Sequence, residues 1–222
     1  MQLYEAMRTT FAAREYTGED LPDAVLYDIL EHARFAPSGG NRQGNRVIVV
    51  REQASKDRLA ELALPAAKRY VAQIAAGESP WNAVLPSKVT AQAIAGTRPP
   101  AALTEPTRKA AVVLVFLVDL RAVASVDQEL DRIGVISGAS IYPFVWNVLL
   151  GARQAGFGGT ITTLAIAREP EIRKLLGIPE PFAVACVMPL GKPVKQLTKL
   201  RRRRVEEIAV RERFDGPALA RL

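Results

Sequence analysis

The sequence holds one cysteine, Cys186, and one histidine, His32. A single thiol excludes an internal disulfide, and a lone imidazole with no second histidine or cysteine near it argues against a zinc site. The same shortage disfavours Cys/His or Ser/His nucleophilic catalysis, whose general base has to be that one side chain. No apolar run approaches the span of a bilayer, and Met1-Gln2-Leu3-Tyr4-Glu5 lacks the basic and apolar regions of a signal peptide, so the expected location is the cytoplasm with no membrane partner. Aromatic residues are scarce at 6%, and the basic residues are neither interleaved with them nor spaced as a helix-turn-helix or zinc finger. Nucleic acid is therefore disfavoured as a partner despite the net charge of +7. Acidic catalytic pairs are not evident either, and Asp127, Glu129 and Asp131 read as a solvated helix or loop surface.

What remains is a chain of 222 residues whose balance of 49% hydrophobic and 24% charged residues fits a soluble globular protein of one domain. The pattern predicts a short helix over Gln2–Thr10, then a segment Phe11–Asp20 carrying Arg14. Pro22 opens a second helix with Val25, Leu26, Ile29, Leu30 and Ala33 at helical spacing, ending before Pro37. The β-branched run Val47–Val50 reads as a strand covered on both faces. Ala54–Ile74 returns to helical periodicity, with Pro65 expected to kink or split it. From Gly77 to Lys109 prolines break every pattern, and short helical pieces anchored by Trp81 are expected to cover a pocket. Ala111–Val118 is a second apolar strand. Gly134–Ala155 reads as a helix apolar nearly all round, bent at Pro143, stopped by Gly156, and serving as a core helix or a dimer seam. Pro170–Leu176 is a short helix capped by Gly177, and Phe182–Met188 is a strand in which Cys186 reads as a buried thiol.

Three stretches carry candidate chemistry. Ala36-Pro37-Ser38-Gly39-Gly40-Asn41-Arg42-Gln43 joins a helix to a strand and can offer amides, a hydroxyl, carboxamides and a guanidinium to one ligand; it also reads as an ordinary turn. Gly156-Phe157-Gly158-Gly159-Thr160-Ile161-Thr162-Thr163 places three glycines within four residues before alternating threonines, as if a flat ligand approached the backbone. It closes a helix, so it does not match the dinucleotide fingerprint, which follows a strand and opens a helix. The third is Arg201-Arg202-Arg203-Arg204, preceded by Lys192, Lys195 and Lys199, a cationic cluster able to take a phosphorylated cofactor or to remain a solvated tail.

Read together, these pieces resemble the FMN-dependent nitroreductase family. Arg34 to Gln43 is similar to its APSxxNxQP motif. Gly138-Ala139-Ser140-Ile141-Tyr142-Pro143 with Asn147, then Gly156 to Thr160, resemble its central helix and flavin-facing loop, and Met188 to Pro193 with Arg201–Arg204 and Val205-Glu206-Glu207 resemble its terminal strand and basic segment. The resemblance implies an α+β fold with a central mixed sheet flanked by helices. It also implies an intertwined homodimer with FMN at the subunit interface, residues 77–109 as a variable lid and 192–222 as a basic C-terminal extension that docks on the partner through Phe214 and its neighbours. It assigns the FMN phosphate to Arg14, Arg202 and Lys199 or Arg201. Pro37, Ser38, Asn41 and Gln43 would line the ring and ribityl chain, and the backbone N–H groups of Gly158 and Gly159 would sit near flavin N5. The implied activity passes hydride from NAD(P)H through flavin to a nitroaromatic, quinone or similar small-molecule acceptor by a ping-pong route. Dehalogenation, flavin destruction, or a flavin-binding or basic interaction protein without turnover are the alternatives. The chain departs from the family pattern at Thr10–Ala13, where arginine and serine are usual, and at Gly44 and Asn45, which replace a proline and an aromatic.

Overall fold

A computed structural model describes residues 1–221. In chain order the strands are β1 (Asn45–Val50), β2 (Val112–Asp119), β3 (Gly158–Gly159) and β4 (Phe182–Gly191), lying side by side as β1-β2-β4-β3. All three ladders are antiparallel, and the parallel element of the sheet is the bridge between Ala12 and Gly159.

The two-residue period of β2 explains how the sheet is covered. Val112, Leu114, Phe116 and Val118 pack with α2 (Asp23–Ala33) and α6 (Tyr142–Gln154) on one side. Val113, Val115 and Leu117 pack on the other with α3 (Gln53–Ala75) and α7 (Glu169–Leu176). A strand with both faces buried reads as an unbroken apolar run, and every β2 residue but Asp119 is buried. Phe116 meets Phe144 edge to face with centroids 5.7 Å apart. Cys186 lies in this core, fully buried.

β1 differs from its expected role. It pairs with β2 alone, and Val49 is 43% exposed, so it is an edge strand. β-branched side chains favour extended backbone whether one neighbour or two are present.

Pro65 does not split α3, which continues for 23 residues. It sits on the exposed face, where water can reach the freed carbonyl, while Leu59, Leu62, Ala63, Ala66 and Ala67 hold the other face in the core.

The helix expected from Gly134 begins only at Tyr142, so Pro143 occupies its first turn, where a missing N–H costs nothing. Gly134–Ile141 is instead an irregular stretch with a 3₁₀ turn at Ile136–Ser140. Asp127 explains part of it. Its carboxylate accepts from Val135 N (2.7 Å), Ile136 N and Arg132 Nη1 (2.8 Å), and it is buried, contrary to the solvated surface expected. Those donors, with the Val135 amide foremost, hold its pKa below the ordinary aspartate value.

Residues 77–109 form short pieces: α4 (Ala91–Gly96), a 3₁₀ turn at Ala101–Leu103 and α5 (Glu105–Lys109). α1 (Leu3–Thr9) completes the helices, and no helix among the described residues is long and apolar enough to cross a membrane.

Candidate functional site

Arg14 is held by backbone on either side of it. Ala13 N donates to Gly159 O at 2.9 Å, Val194 N donates to Glu15 O at 3.1 Å, and Thr17 N donates to Lys192 O at 2.9 Å. The N-terminal segment is thereby stitched to the edge of β3 and the end of β4. Tyr16 locks it: its hydroxyl lies 3.0 Å from Ala13 O and 3.1 Å from Pro189 O, sharing one proton between them. Burial raises the Tyr16 phenol far above its ordinary pKa, an effect the Arg14 charge opposes, so the donor keeps its proton. Gly191 makes room for this ring, because a Cβ there would lie 2.7 Å from Tyr16 Cγ.

Arg14 itself is exposed and forms no ion pair among the described residues; its contact is a weak 3.3 Å bond from Nη1 to Ala12 O. It lines a cavity of about 190 Å³ whose wall includes Tyr70, Leu103, Thr107, Thr160 to Leu164 and Pro189. No carboxylate lines this cavity. Among the described residues, the N–H groups of Thr160, Ile161 and Thr163 have no backbone acceptor, whereas Thr162 N is used by Val187 O at 2.9 Å. A free guanidinium, several hydroxyls and unengaged amides form a set of donors suited to an anion and to carbonyl oxygens.

Gly158 and Gly159 are close to Arg14 in the fold, but both are buried in β3 and neither lines the cavity. A Cβ on Gly159 would collide with the Pro189 carbonyl and lie 2.6 Å from Leu190 Cδ2, and one on Gly158 would lie 3.0 Å from Pro193 Cγ. The glycines are therefore explained by protein packing, Gly159 against β4 and Gly158 against Pro193 and Ala13, and the cavity wall starts one residue later, at Thr160.

The Pro37–Gln43 loop lies elsewhere on the protomer. It contains a 3₁₀ turn at Gly39–Asn41, with Gly40, Asn41 and Gln43 at φ of 60°, 53° and 49°. Ser38 Oγ accepts from Gln43 N at 3.0 Å, and Gly39 N donates to Ser140 Oγ at 3.0 Å, so the loop is tied internally and to the turn before α6. Pro37, Asn41 and Gln43 are exposed, and none lines the Arg14 cavity. The glycine at 44 has a packing reason, since a Cβ there would lie 2.6 Å from Ala122 Cβ.

Lys199, Arg201 and Arg202 are exposed on an irregular C-terminal stretch; Arg202 Nη1 donates to Arg201 O at 2.7 Å. This stretch passes α1, where Gln196 Nε2 donates to Thr9 O at 3.0 Å, and none of the three basic residues reaches the Arg14 cavity. Within one protomer the predicted residues thus fall into three groups: Arg14 with the two glycines, the Pro37–Gln43 loop, and the basic stretch. Sequence reading missed Tyr70 and Pro189 as cavity residues. Of the rest of the wall, Arg14, the threonine run after Gly159 and, through Leu103 and Thr107, the segment 77–109 expected to cover a pocket had left a signal.

The Nitroreductase family model matches residues 7–192. An NADH dehydrogenase of Thermus thermophilus is 29% identical over 194 residues, covering 82% of each chain. Among solved structures, a BluB-like flavoprotein from Clostridium difficile superposes with a TM-score of 0.71 at 17% identity, covering 95% of this chain and 98% of its own. Iodotyrosine deiodinase bound to FMN and 3-iodo-L-tyrosine gives 0.68 at 18%, covering 96% and 99%. NADPH:FMN oxidoreductase from Vibrio harveyi, complexed with NAD+, gives 0.61 at 20%, covering 90% and 72%. Lys199, Arg201 and Arg202 lie beyond the matched residues, whereas Arg14, the Pro37–Gln43 loop and the threonine-lined cavity all lie within them, and on that match the chain belongs to the nitroreductase family.

Proposed function

We propose that this chain is an FMN-dependent NAD(P)H oxidoreductase of the cytoplasm, reducing nitroaromatic, quinone or similar acceptors by a ping-pong route. The observation that carries the reading is the unpaired Arg14 guanidinium at a donor-lined cavity that holds no carboxylate. FMN, when bound, supplies hydride acceptance from a nicotinamide and electron delivery to an acceptor. The protein's part is binding and electrostatics. Arg14 offers charge and a two-pronged donor to a phosphate, and Thr160 to Thr163 offer hydroxyls and N–H groups to the polar edge of a ring. The donor that the resemblance puts at Gly158 and Gly159 we assign to these next residues, because neither glycine lines the cavity.

The cavity is below the roughly 300–1,000 Å³ usual for small-molecule sites, so one protomer supplies part of the site. A homodimer completes it in our reading, the exposed Pro37–Gln43 loop of one copy meeting the Arg14 cavity of the other. The exposed apolar residues Leu3, Tyr4, Met7, Val135, Tyr142 and Phe214, the last 99% exposed, support a second copy as the cover. Lys199, Arg201 and Arg202 add positive charge for the phosphate from the C-terminal extension.

The names of the relatives agree with this chemistry: NADH dehydrogenase for the Thermus protein, and NADPH:FMN oxidoreductase for the Vibrio enzyme. The test is optical. The purified protein is expected to be yellow, to bleach anaerobically with NADH or NADPH, and to recover its bands when an acceptor is added. A protein that takes up no FMN refutes the reading, and bound flavin that nicotinamides fail to reduce leaves a binding protein without turnover. Loss of the flavin spectrum that no acceptor restores marks consumption of the flavin itself.

A further inference from the structure

A second cavity, of about 550 Å³, opens beside the first and shares Tyr70, Thr163 and Leu164 with it. Its remaining wall is Ala66, Pro80, Trp81, Ile166 and Ala167. No charged side chain lines it, and its polar groups are the hydroxyls of Tyr70 and Thr163. A wall that is apolar apart from two hydroxyls suits a flat uncharged ring, which loses only water on entering, better than a charged group.

Trp81 is held in place in an unusual way. Its φ of +55° is in the left-handed region, which residues bearing a Cβ rarely adopt. Its backbone N–H donates to Gln73 Oε1 at 3.2 Å, and Gln73 is buried on α3 with 3% exposure. Gln73 Nε2 in turn donates to Glu78 at 3.1 Å, and Glu78 also accepts from Ser87 Oγ and Lys88 N, each at 2.6 Å. The Arg69 guanidinium stands 4.3 Å from the centre of the indole ring. A buried amide, a carboxylate with three donors and a cation thus fix an indole that remains 44% exposed. Core burial does not account for that arrangement; an aromatic wall held ready beside an apolar cavity does.

We infer that the space between Tyr70 and Trp81 takes the apolar ring system of the electron acceptor, and that Trp81 sets a preference for uncharged bicyclic over monocyclic acceptors. The inference rests on the flavin reading of the adjoining cavity. For a quinone the overall change is hydride from NAD(P)H plus one solvent proton adding to the two carbonyl oxygens' system, giving hydroquinone and NAD(P)+, with two electrons transferred.

The experiment compares 1,4-naphthoquinone with 1,4-benzoquinone in the wild type, W81A and W81F, with flavin content measured on each preparation. In W81A, kcat/KM for naphthoquinone is expected to fall about tenfold, the lower end of what one lost apolar contact surface contributes. Flavin content stays within about twofold, kcat/KM for benzoquinone falls clearly less than that for naphthoquinone, and W81F, which keeps a ring, lies between. Equal losses with both quinones, or none, overturn the inference while the flavin reading stands. A wild-type protein without flavin or without NAD(P)H oxidation overturns both. If W81A does not fold, W146F leaves Trp81 as the one tryptophan: its emission is expected to be quenched saturably by naphthoquinone, and quenching that rises linearly with concentration overturns the inference.

Discussion

On the proposed reading, replacing Arg14 with alanine is expected to separate phosphate recognition from ring recognition. The side chain's contact within the protein is one exposed 3.3 Å bond to Ala12 O, so its loss removes little from folding and the effect falls on the ligand. A hydrogen bond to a charged partner is worth roughly 1.5–3 kcal/mol, and each 1.4 kcal/mol is about a factor of ten in affinity. Because Arg14 is exposed, the lower half of that range applies, a weakening of FMN by about ten- to fortyfold. Riboflavin carries the same ring without the phosphate and should bind the variant as it binds the wild type. Fluorescence titration of the apoprotein with both flavins, repeated at raised salt, gives the four constants needed. The FMN advantage should shrink with salt in the wild type and be small throughout in the variant, with Arg14→Lys intermediate because it keeps the charge and loses the fork. An equal loss for riboflavin would move Arg14 from the phosphate to the ring, and unchanged FMN binding would remove it from the site.

Pro65→Ala restores an N–H within α3 and removes a ring that has no role in the core. Interior proline costs a helix about 3 kcal/mol against alanine, partly offset by its stiffening of the unfolded chain, so a gain of about 1–2 kcal/mol is expected in urea unfolding. A loss would show that the ring packs usefully on the surface. Burial pushes the Cys186 thiol from 9.0 up to about 12, so the folded protein keeps a proton that the unfolded chain gives up. Stability is then intact below the unfolded value and falls as pH rises through that window, by about 1 kcal/mol between about pH 8 and about pH 10. Cys186→Ala should flatten that part of the slope, and an unaltered slope would assign it to other groups such as Tyr16, whose phenol shifts in the same direction. Arg202→Ala is expected to lower the FMN occupancy of the purified protein, and full occupancy would exclude the C-terminal arginine from cofactor binding.

The elements legible in the sequence are those fixed by local periodicity. The apolar run of β2 and the 3.6-residue stripe of α2 each survive because the partner faces are the sheet and helices that the same pattern demands. β1 was legible as a strand but not as an edge, since the number of neighbours is a property of the sheet and not of Val47–Val50. The start of α6 was misplaced for a related reason. Small and apolar residues from Gly134 to Ser140 suit a helix by composition, yet the amides of Val135 and Ile136 are claimed by a carboxylate eight or nine residues upstream, at Asp127. A long-range acceptor of that kind leaves no trace in periodicity.

The candidate site divides along the same line. Arg14 and the threonines were visible as residues, but which of Gly159 and Thr160 meets the cavity depends on one β-bridge, Ala12 to Gly159, and on the packing of Pro189 across it. An absent Cβ makes room for whatever lies opposite; for Gly159 that is the Pro189 carbonyl, and the side-chain-bearing neighbour Thr160 is left to line the cavity. The Pro37–Gln43 loop shows the converse. Its tight internal bonding through Ser38 and its anchor on Ser140 leave Pro37, Asn41 and Gln43 facing outward, away from the cavity of their own chain. A loop tied in this way, with its polar side chains turned to solvent, is available for contact with another molecule, and the homodimer proposed above gives it the Arg14 cavity of a second copy to meet.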